Sequence, residues 1–281
     1  MNLRIKRNNQ ILFFYFILSC FLYSQNDTIK VINYNIHGLS PIFTKDKNSN
    51  RVKSIFENVS KKYDLILFQE NWVYQNLLSD YFHDYKIIIG NETRFIKKNN
   101  PKRSTGLNIL ANSSIKIKEY KQSLFNTCSG WFKNGNDCFA SKGFMYSKLE
   151  LNGHRLNLFL THLDAGYSLD DIIAREQQIY RLAKEINKIN MNEPVIICGD
   201  FNINYYTDSN LIDDFKDKNK LEILRWDQKT NVSEMIDFIF LRQGNDTKIN
   251  LIDYGIDDTL FLYSDHPPIY FSFLLNKRGL P

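Results

Sequence analysis

The apolar run Pro194-Val195-Ile196-Ile197 leads directly into Cys198-Gly199-Asp200-Phe201-Asn202. A run this short and uniformly apolar reads as a strand buried in a sheet, ending on an acid with an amide two residues further along the same face. Such an ending delivers two oxygen-bearing side chains to one rim of the sheet. Oxygen donors gathered in this way suit a hard divalent cation and a phosphate.

Further strands are easy to find. Ile29 to Asn35, Leu65 to Phe68, Lys86 to Ile89, Leu107 to Leu110, Ile115 to Lys118, Phe144 to Leu151, Leu156 to Leu160, Ile236 to Phe240 and Ile269 to Leu274 are β-branched or alternating in polarity. Helical spacing is confined to Val52-Ile55-Phe56-Val59 and to Ile172-Ile173-Ile179-Leu182-Ala183-Ile186-Ile189, where apolar positions recur at three and four. Asp170 and Asp171 favour the start of the second helix. Strands outnumber helices and hairpins mix with crossovers. The expected fold is α/β, with two packed, mainly antiparallel sheets flanked by helices in a four-layer sandwich.

Chemistry-bearing residues collect at the ends of these strands. Asn35 closes the first, Glu70 follows the second, and His162 follows Leu156 to Leu160. Asp200 and Asn202 follow Val195 to Cys198, Asp237 lies in Ile236 to Phe240, and Asp265-His266 precedes the last strand. A single acid or histidine beside a strand is usually a surface group or a satisfied hydrogen-bonder. Eight such residues in one chain predict a common site at one mouth of the sandwich. His37 lies two residues beyond Asn35 and is placed at the same cleft, whereas His83 and His154 are assigned to surface loops.

Taken with Gln69-Glu70, Thr161-His162-Leu163-Asp164 and Ser264-Asp265-His266-Pro267, the Gly199-Asp200-Phe201-Asn202 segment resembles the endonuclease/exonuclease/phosphatase superfamily of metal-dependent phosphodiesterases. Within it the chain looks most like the secreted bacterial neutral sphingomyelinases. The resemblance implies in-line attack of water on a phosphodiester, with Mg²⁺ or another divalent cation such as Mn²⁺ as cofactor. It assigns Asn35, Glu70 and Asp265 to the metal, with Asp200 and Asn202 completing the metal and phosphate environment. It assigns His266 as general base oriented by Asp237, and His162 as a donor to the phosphoryl oxygens.

Two segments narrow the substrate. Asp137-Cys138-Phe139-Ala140-Ser141-Lys142-Gly143-Phe144 resembles the sphingomyelinases' Asp-x4-Lys stretch, which implies that Lys142 meets the substrate phosphate and Asp137 controls its position. Thr161 to Gly166 resembles the same family's histidine segment. The implied partner is a phospholipid substrate at a membrane surface, with no stable protein partner and a monomeric enzyme. A secreted deoxyribonuclease of the same fold would instead use the basic run Lys97 to Arg103 on nucleic acid. A non-catalytic lipid-binding module would need none of the eight residues.

The N-terminus carries Arg4, Lys6 and Arg7, then the apolar run Ile11 to Leu18, then Ser24 before Gln25-Asn26-Asp27. This reads as a secretory signal peptide over residues 1–24, followed by one catalytic domain over 25–281. An uncleaved membrane anchor and lipid attachment at Cys20 are the alternatives. Cleavage after Ser24 removes three basic residues and no acid, so the formal charge falls from +5 to +2. A strongly basic nucleic-acid surface is not indicated. Of the remaining cysteines, Cys198 reads as a buried filler, while Cys128 and Cys138 are either free thiols or a bridge closing a short loop. That loop carries Trp131-Phe132, which either insert at a lipid headgroup boundary or fold back onto the sandwich, and Phe261-Leu262-Tyr263 raises the same question.

Overall fold

The computed structural model describes residues 28–39, 49–94, 104–131, 134–230 and 232–278. The signal-peptide segment, Cys20, Phe132 and the basic run 97–103 lie outside the described residues.

Twelve strands form two sheets of six. They are β1 (Ile29–Gly38), β2 (Leu65–Asn71), β3 (Tyr85–Ile89), β4 (Asn108–Asn112), β5 (Lys116–Leu124), β6 (Gly143–Leu151), β7 (His154–His162), β8 (Val195–Asp200), β9 (Glu222–Ile223), β10 (Asp237–Arg242), β11 (Thr247–Ile256) and β12 (Ile269–Lys277). The sheets run in the orders β11-β12-β1-β2-β4-β3 and β5-β6-β7-β8-β10-β9. In each, only the central pair is parallel, β1 with β2 and β7 with β8; every other pairing is antiparallel.

A parallel pair cannot be joined by a hairpin and needs a crossover, which a helix usually supplies. Helix α1 (Ser49–Val59) bridges β1 to β2 and helix α3 (Leu169–Ile186) bridges β7 to β8, with the short α2 (Leu78–Tyr81) between them in sequence. Helix α3 starts at a capping box: Ser168 Oγ accepts from Asp171 N, and Asp171 Oδ2 accepts from Ser168 N at 2.9 Å. Its buried Ile179, Leu182 and Ile186 join the main core with Phe215 of α4 (Ser209–Lys218). Alternation along β1 sends Val31 into that core, and Ile32, Tyr34 and Ile36 into a second cluster with Val52, Ile55, Phe56 and Val59 of α1. The expected two-sheet sandwich with flanking helices is the observed architecture.

The parallel pairs also position the site. Each brings two C-terminal strand ends to the same rim, carrying Asn35 and Glu70 in one sheet, His162 and Asp200 in the other. Gly199 permits the close approach of β8 to β7: its φ is 153°, and a Cβ there would stand 2.1 Å from the Thr161 carbonyl oxygen.

Strand β11 and helix α4 were not apparent from periodicity. A register shift between Leu251 and Asp253 breaks the alternation of β11, an edge strand that buries few of its side chains. Helix α4 buries only Ile212 and Phe215. His154 opens strand β7, where a loop was expected.

Candidate active site

All eight strand-end residues converge on the rim. Asp200, 1% exposed, lies at the centre. Asn35 Nδ2 donates to its Oδ2 at 3.0 Å, and the Nε2 atoms of His162 and His266 lie 3.5 and 3.6 Å from the same oxygen. The backbone N–H of Asn202 donates to its Oδ1 at 2.8 Å. Asp237, register partner of Asp200 across β10 and β8, places Oδ2 2.8 Å from His266 Nδ1.

Backbone irregularity aims two of these groups. Along β2, Ile66 and Phe68 face α1 while Leu65 and Leu67 face the main core. Simple alternation would send Glu70 outward with Phe68. Instead Glu70 has φ 59°, and the β1/β2 register shifts between the Asn35 and Gly38 pairs. Glu70 Oε1 thereby lies 3.7 Å from His162 Nε2, and Oε2 3.7 Å from His37 Nδ1. His37 and Asn202 also sit in the left-handed region, at φ 47° and 52°. A non-glycine residue held there costs about 1–2 kcal/mol, and such strain gathers at functional sites.

Burial and charge set the protonation pattern. Burial, with Lys142 and His266 nearby, holds His162 well below the usual imidazole range and therefore neutral. Burial opposes charge on His266 too, but Asp237, Asp200 and Asp265 outweigh it and push its pKa up to about 11. Burial raises Asp237 to about 6 and also raises Asp200. Asp265 is pushed down to about 2: desolvation works against this, and the bond from His37 Nδ1, 3.2 Å from its Oδ2, prevails.

The donor set fits a divalent cation. Glu70, His162 and Asp200 offer ligand atoms all within 4.8 Å of one another, as do Asp200, Asp237 and His266. Glu70 Oε2, Asp237 Oδ1 and both His162 ring nitrogens are buried without a hydrogen-bond partner. Unsatisfied buried polar atoms are costly, and a bound cation with its waters would satisfy the acceptors among them. Asp265 meets Glu70 only through His37, which stands between the two acids. Spacing from Asn35 placed His37 at the cleft; its bridging position is a product of the fold.

Lys142 and Asp137 form a buried ion pair of 2.7 Å behind the rim. Lys142 Nζ also donates to the Leu163 carbonyl at 2.8 Å, which accepts from Asn202 Nδ2 at 3.0 Å. Asp137 Oδ2 accepts from Ala165 N at 2.6 Å. Lys142 is thus a wall of the site with its side chain 3% exposed. Cys128 and Cys138 are bridged, and Ser129 N within the loop donates to Asp164 Oδ2 at 2.7 Å. The loop is therefore tied to the segment following His162. Trp131 on it is 48% exposed, and Leu262, just before Asp265-His266, is 91% exposed.

The sequence assigns Arg51 no role, and Ser264 only a place in the Ser264-to-Pro267 motif. Ser264 Oγ donates to the Asn35 carbonyl at 2.7 Å, and Arg51 donates to the carbonyls of Ile36, His37 and Tyr263. An arginine at position 51 carries no sequence signal, and the motif does not reveal which carbonyl Ser264 meets.

The chain resembles known proteins in sequence and in fold. The chain is 25% identical over 192 residues to a sphingomyelinase of Mycobacterium tuberculosis, covering 60% of this chain and 37% of that protein. It is 26% identical over 212 residues to sphingomyelinase C of Bacillus cereus, covering 64% and 59%. The chain thus spans between about a third and three fifths of the length of these curated relatives. The beta toxin of Staphylococcus aureus, in a crystal structure with bound magnesium ions, superposes with a TM-score of 0.67 at 21% identity, covering 88% of this chain and 99% of that one. The Endonuclease/Exonuclease/phosphatase family matches residues 32–266, which takes in every residue of the convergent rim, and the chain belongs to that family.

Proposed function

We propose that the chain is a secreted, Mg²⁺-dependent phosphodiesterase that hydrolyses sphingomyelin to ceramide and phosphocholine by in-line attack of water. The observation that carries this reading is the Asp237–His266 pair set beside Asp200, with Glu70 and His162 closing the other side of the same cluster. Likeness of the Asp137-to-Lys142 and Thr161-to-Gly166 segments to sphingomyelinases supports the choice of substrate, as do the relatives of that name.

Glu70, Asp200 and the Asn35 amide would hold the cation, with Asp265 at its margin. When bound, the cation supplies charge compensation among these carboxylates and a Lewis-acid contact for a phosphate oxygen. His266 can take a proton from water once the acids around it are so compensated, and Asp237 holds its ring by Nδ1 with Nε2 toward the cluster. His162, neutral and buried, has an N–H free for a phosphoryl oxygen as negative charge grows in the transition state. Asn202 is fixed by its own N–H on Asp200 and its amide on Leu163, and it orients the phosphate. Lys142 adds positive charge to the wall at a distance set by Asp137.

Exposed apolar side chains flank the mouth. Tyr167 and Leu169 follow His162, and Phe261 and Leu262 precede Asp265. These suit a substrate taken from a lipid surface.

The test compares mature wild-type protein and Glu70→Gln on sphingomyelin vesicles, glycerophospholipid vesicles and duplex DNA, with Mg²⁺ or chelator. Wild type should release phosphocholine from sphingomyelin only with Mg²⁺, and Glu70→Gln should retain its fold with little turnover. Faster cleavage of DNA than of sphingomyelin would assign the site to a nuclease. No turnover on any substrate would leave a binding module.

A further inference from the structure

Strand β12 pairs with β1 only as far as Asn33 and Ile269. Beyond that point the segment 264–268 peels away to carry Asp265 and His266 to the rim, and the far end of β1 loses its ladder partner on that side. Side chains replace the ladder. The carbonyls of Asn35, Ile36 and His37, three in succession, accept from Ser264 Oγ at 2.7 Å, Arg51 Nη1 at 2.8 Å and Arg51 Nη2 at 2.8 Å. Arg51 Nη1 also donates to the carbonyl of Tyr263, the residue before Ser264.

We propose that Arg51 is a positioning residue that clamps the Ser264-Asp265-His266 segment onto the end of β1, holding Asn35, Asp265 and His266 in one working arrangement. The inference rests on the function proposed above for what that arrangement does, but its geometry is independent of substrate.

Three features argue against a merely structural role. The apolar face of α1 is Val52, Ile55, Phe56 and Val59, and it anchors the helix without Arg51. The guanidinium spends its donors on carbonyls outside its own helix. All of those carbonyls belong to residues within two positions of Asn35 or Asp265. The planar, five-donor fork of arginine suits such a bridge, which a lysine ammonium cannot span. Tyr34 OH, donating to the Leu260 carbonyl at 3.0 Å, fixes the start of the same turn, so the clamp acts on an already anchored element.

The experiment has two readouts. In the metal-free protein, the His266 Nδ1 proton, bonded to buried Asp237 at 2.8 Å, should give a resolved downfield NMR resonance. Arg51→Ala should broaden or shift that resonance while the core methyl signals stay in place. On a soluble phosphodiester, kcat should fall about 10²-fold, as misplacement of a catalytic group by about an ångström does, with KM changed little. Arg51→Lys, which keeps charge and stem, should move both readouts the same way by less, and it serves if the alanine variant does not fold. In the Asp265→Asn background, Arg51→Ala should cost little more, because the two act through one segment. An unchanged resonance with wild-type kcat in either Arg51 variant would overturn the proposal, as would fully additive losses in the double variant. If wild type hydrolyses nothing, the functional reading fails while the resonance still decides the clamp.

Discussion

Replacing Asp237 by asparagine tests the centre of the site. Asp237 is 1% exposed, and its Oδ2 meets His266 Nδ1 at 2.8 Å while Oδ1 has no partner. Asparagine keeps the volume and can still accept the Nδ1 proton, so the fold and the ring position should survive; what is lost is the charge. Removing one member of a buried, hydrogen-bonded ion pair costs about 3–5 kcal/mol. If the imidazolium that forms when His266 takes the proton feels that whole loss, kcat falls about 10²- to 10⁴-fold at about 1.4 kcal/mol per decade. The pH profile should move as well. Asp237 is among the charges that raise His266, so without it His266 releases its proton at lower pH and the acid limb of kcat/KM shifts down while the plateau drops. The assay is steady-state hydrolysis of a soluble phosphodiester from pH 5 to 9 at saturating Mg²⁺, for Asp237→Asn, His266→Ala and the double variant. The double variant should be little worse than the poorer single one. A loss under about fivefold in Asp237→Asn, or additive losses, would refute the pairing.

Three more outcomes are expected. Lys142→Ala strands the buried carboxylates of Asp137 and Asp164, so sphingomyelin cleavage should fall and the urea midpoint should drop by the equivalent of about 3 kcal/mol or more; calorimetric Mg²⁺ affinity should stay near wild type, and an unchanged rate would remove Lys142 from the site. Asp257 accepts from Lys62, Tyr63 and Thr259, which together outweigh burial and depress its pKa, so its contribution is present above about pH 4 and fades as pH falls through the lower folded value; Asp257→Asn should cost about 1.5–3 kcal/mol in urea unfolding at pH 7 and clearly less near pH 3, and an equal cost at both would contradict the assignment. Changing Trp131 and Leu262 together to alanine should weaken vesicle binding and bilayer cleavage while sparing a soluble substrate, whereas equal loss on both substrates would place these side chains in the fold or the site.

Much of this protein was legible in its sequence because strand signals are local. Runs such as Val195 to Cys198 and Leu156 to Leu160 are apolar enough to specify buried strands by themselves, and the acids and amides at their ends mark one rim. The helix from Leu169 was equally plain from its apolar recurrence. Periodicity could not find β11, where a bulge and an exposed edge erase the alternation, nor α4, which buries two side chains. It would also have pointed Glu70 the wrong way, since only the left-handed backbone at that residue turns the carboxylate toward Asp200 and His162. The choice between free thiols and a bridge at Cys128 and Cys138 was settled by their approach in space. So was the place of Lys142, sealed in the wall against Asp137, and the reach of Arg51 from α1 to the segment that precedes Asp265 and His266, 212 residues away from it at Tyr263. Composition and spacing determine which side chains arrive at a sheet's rim. Which of them touch, which are desolvated and which carry charge depends on contacts between distant segments, and those exist only once the two sheets have packed.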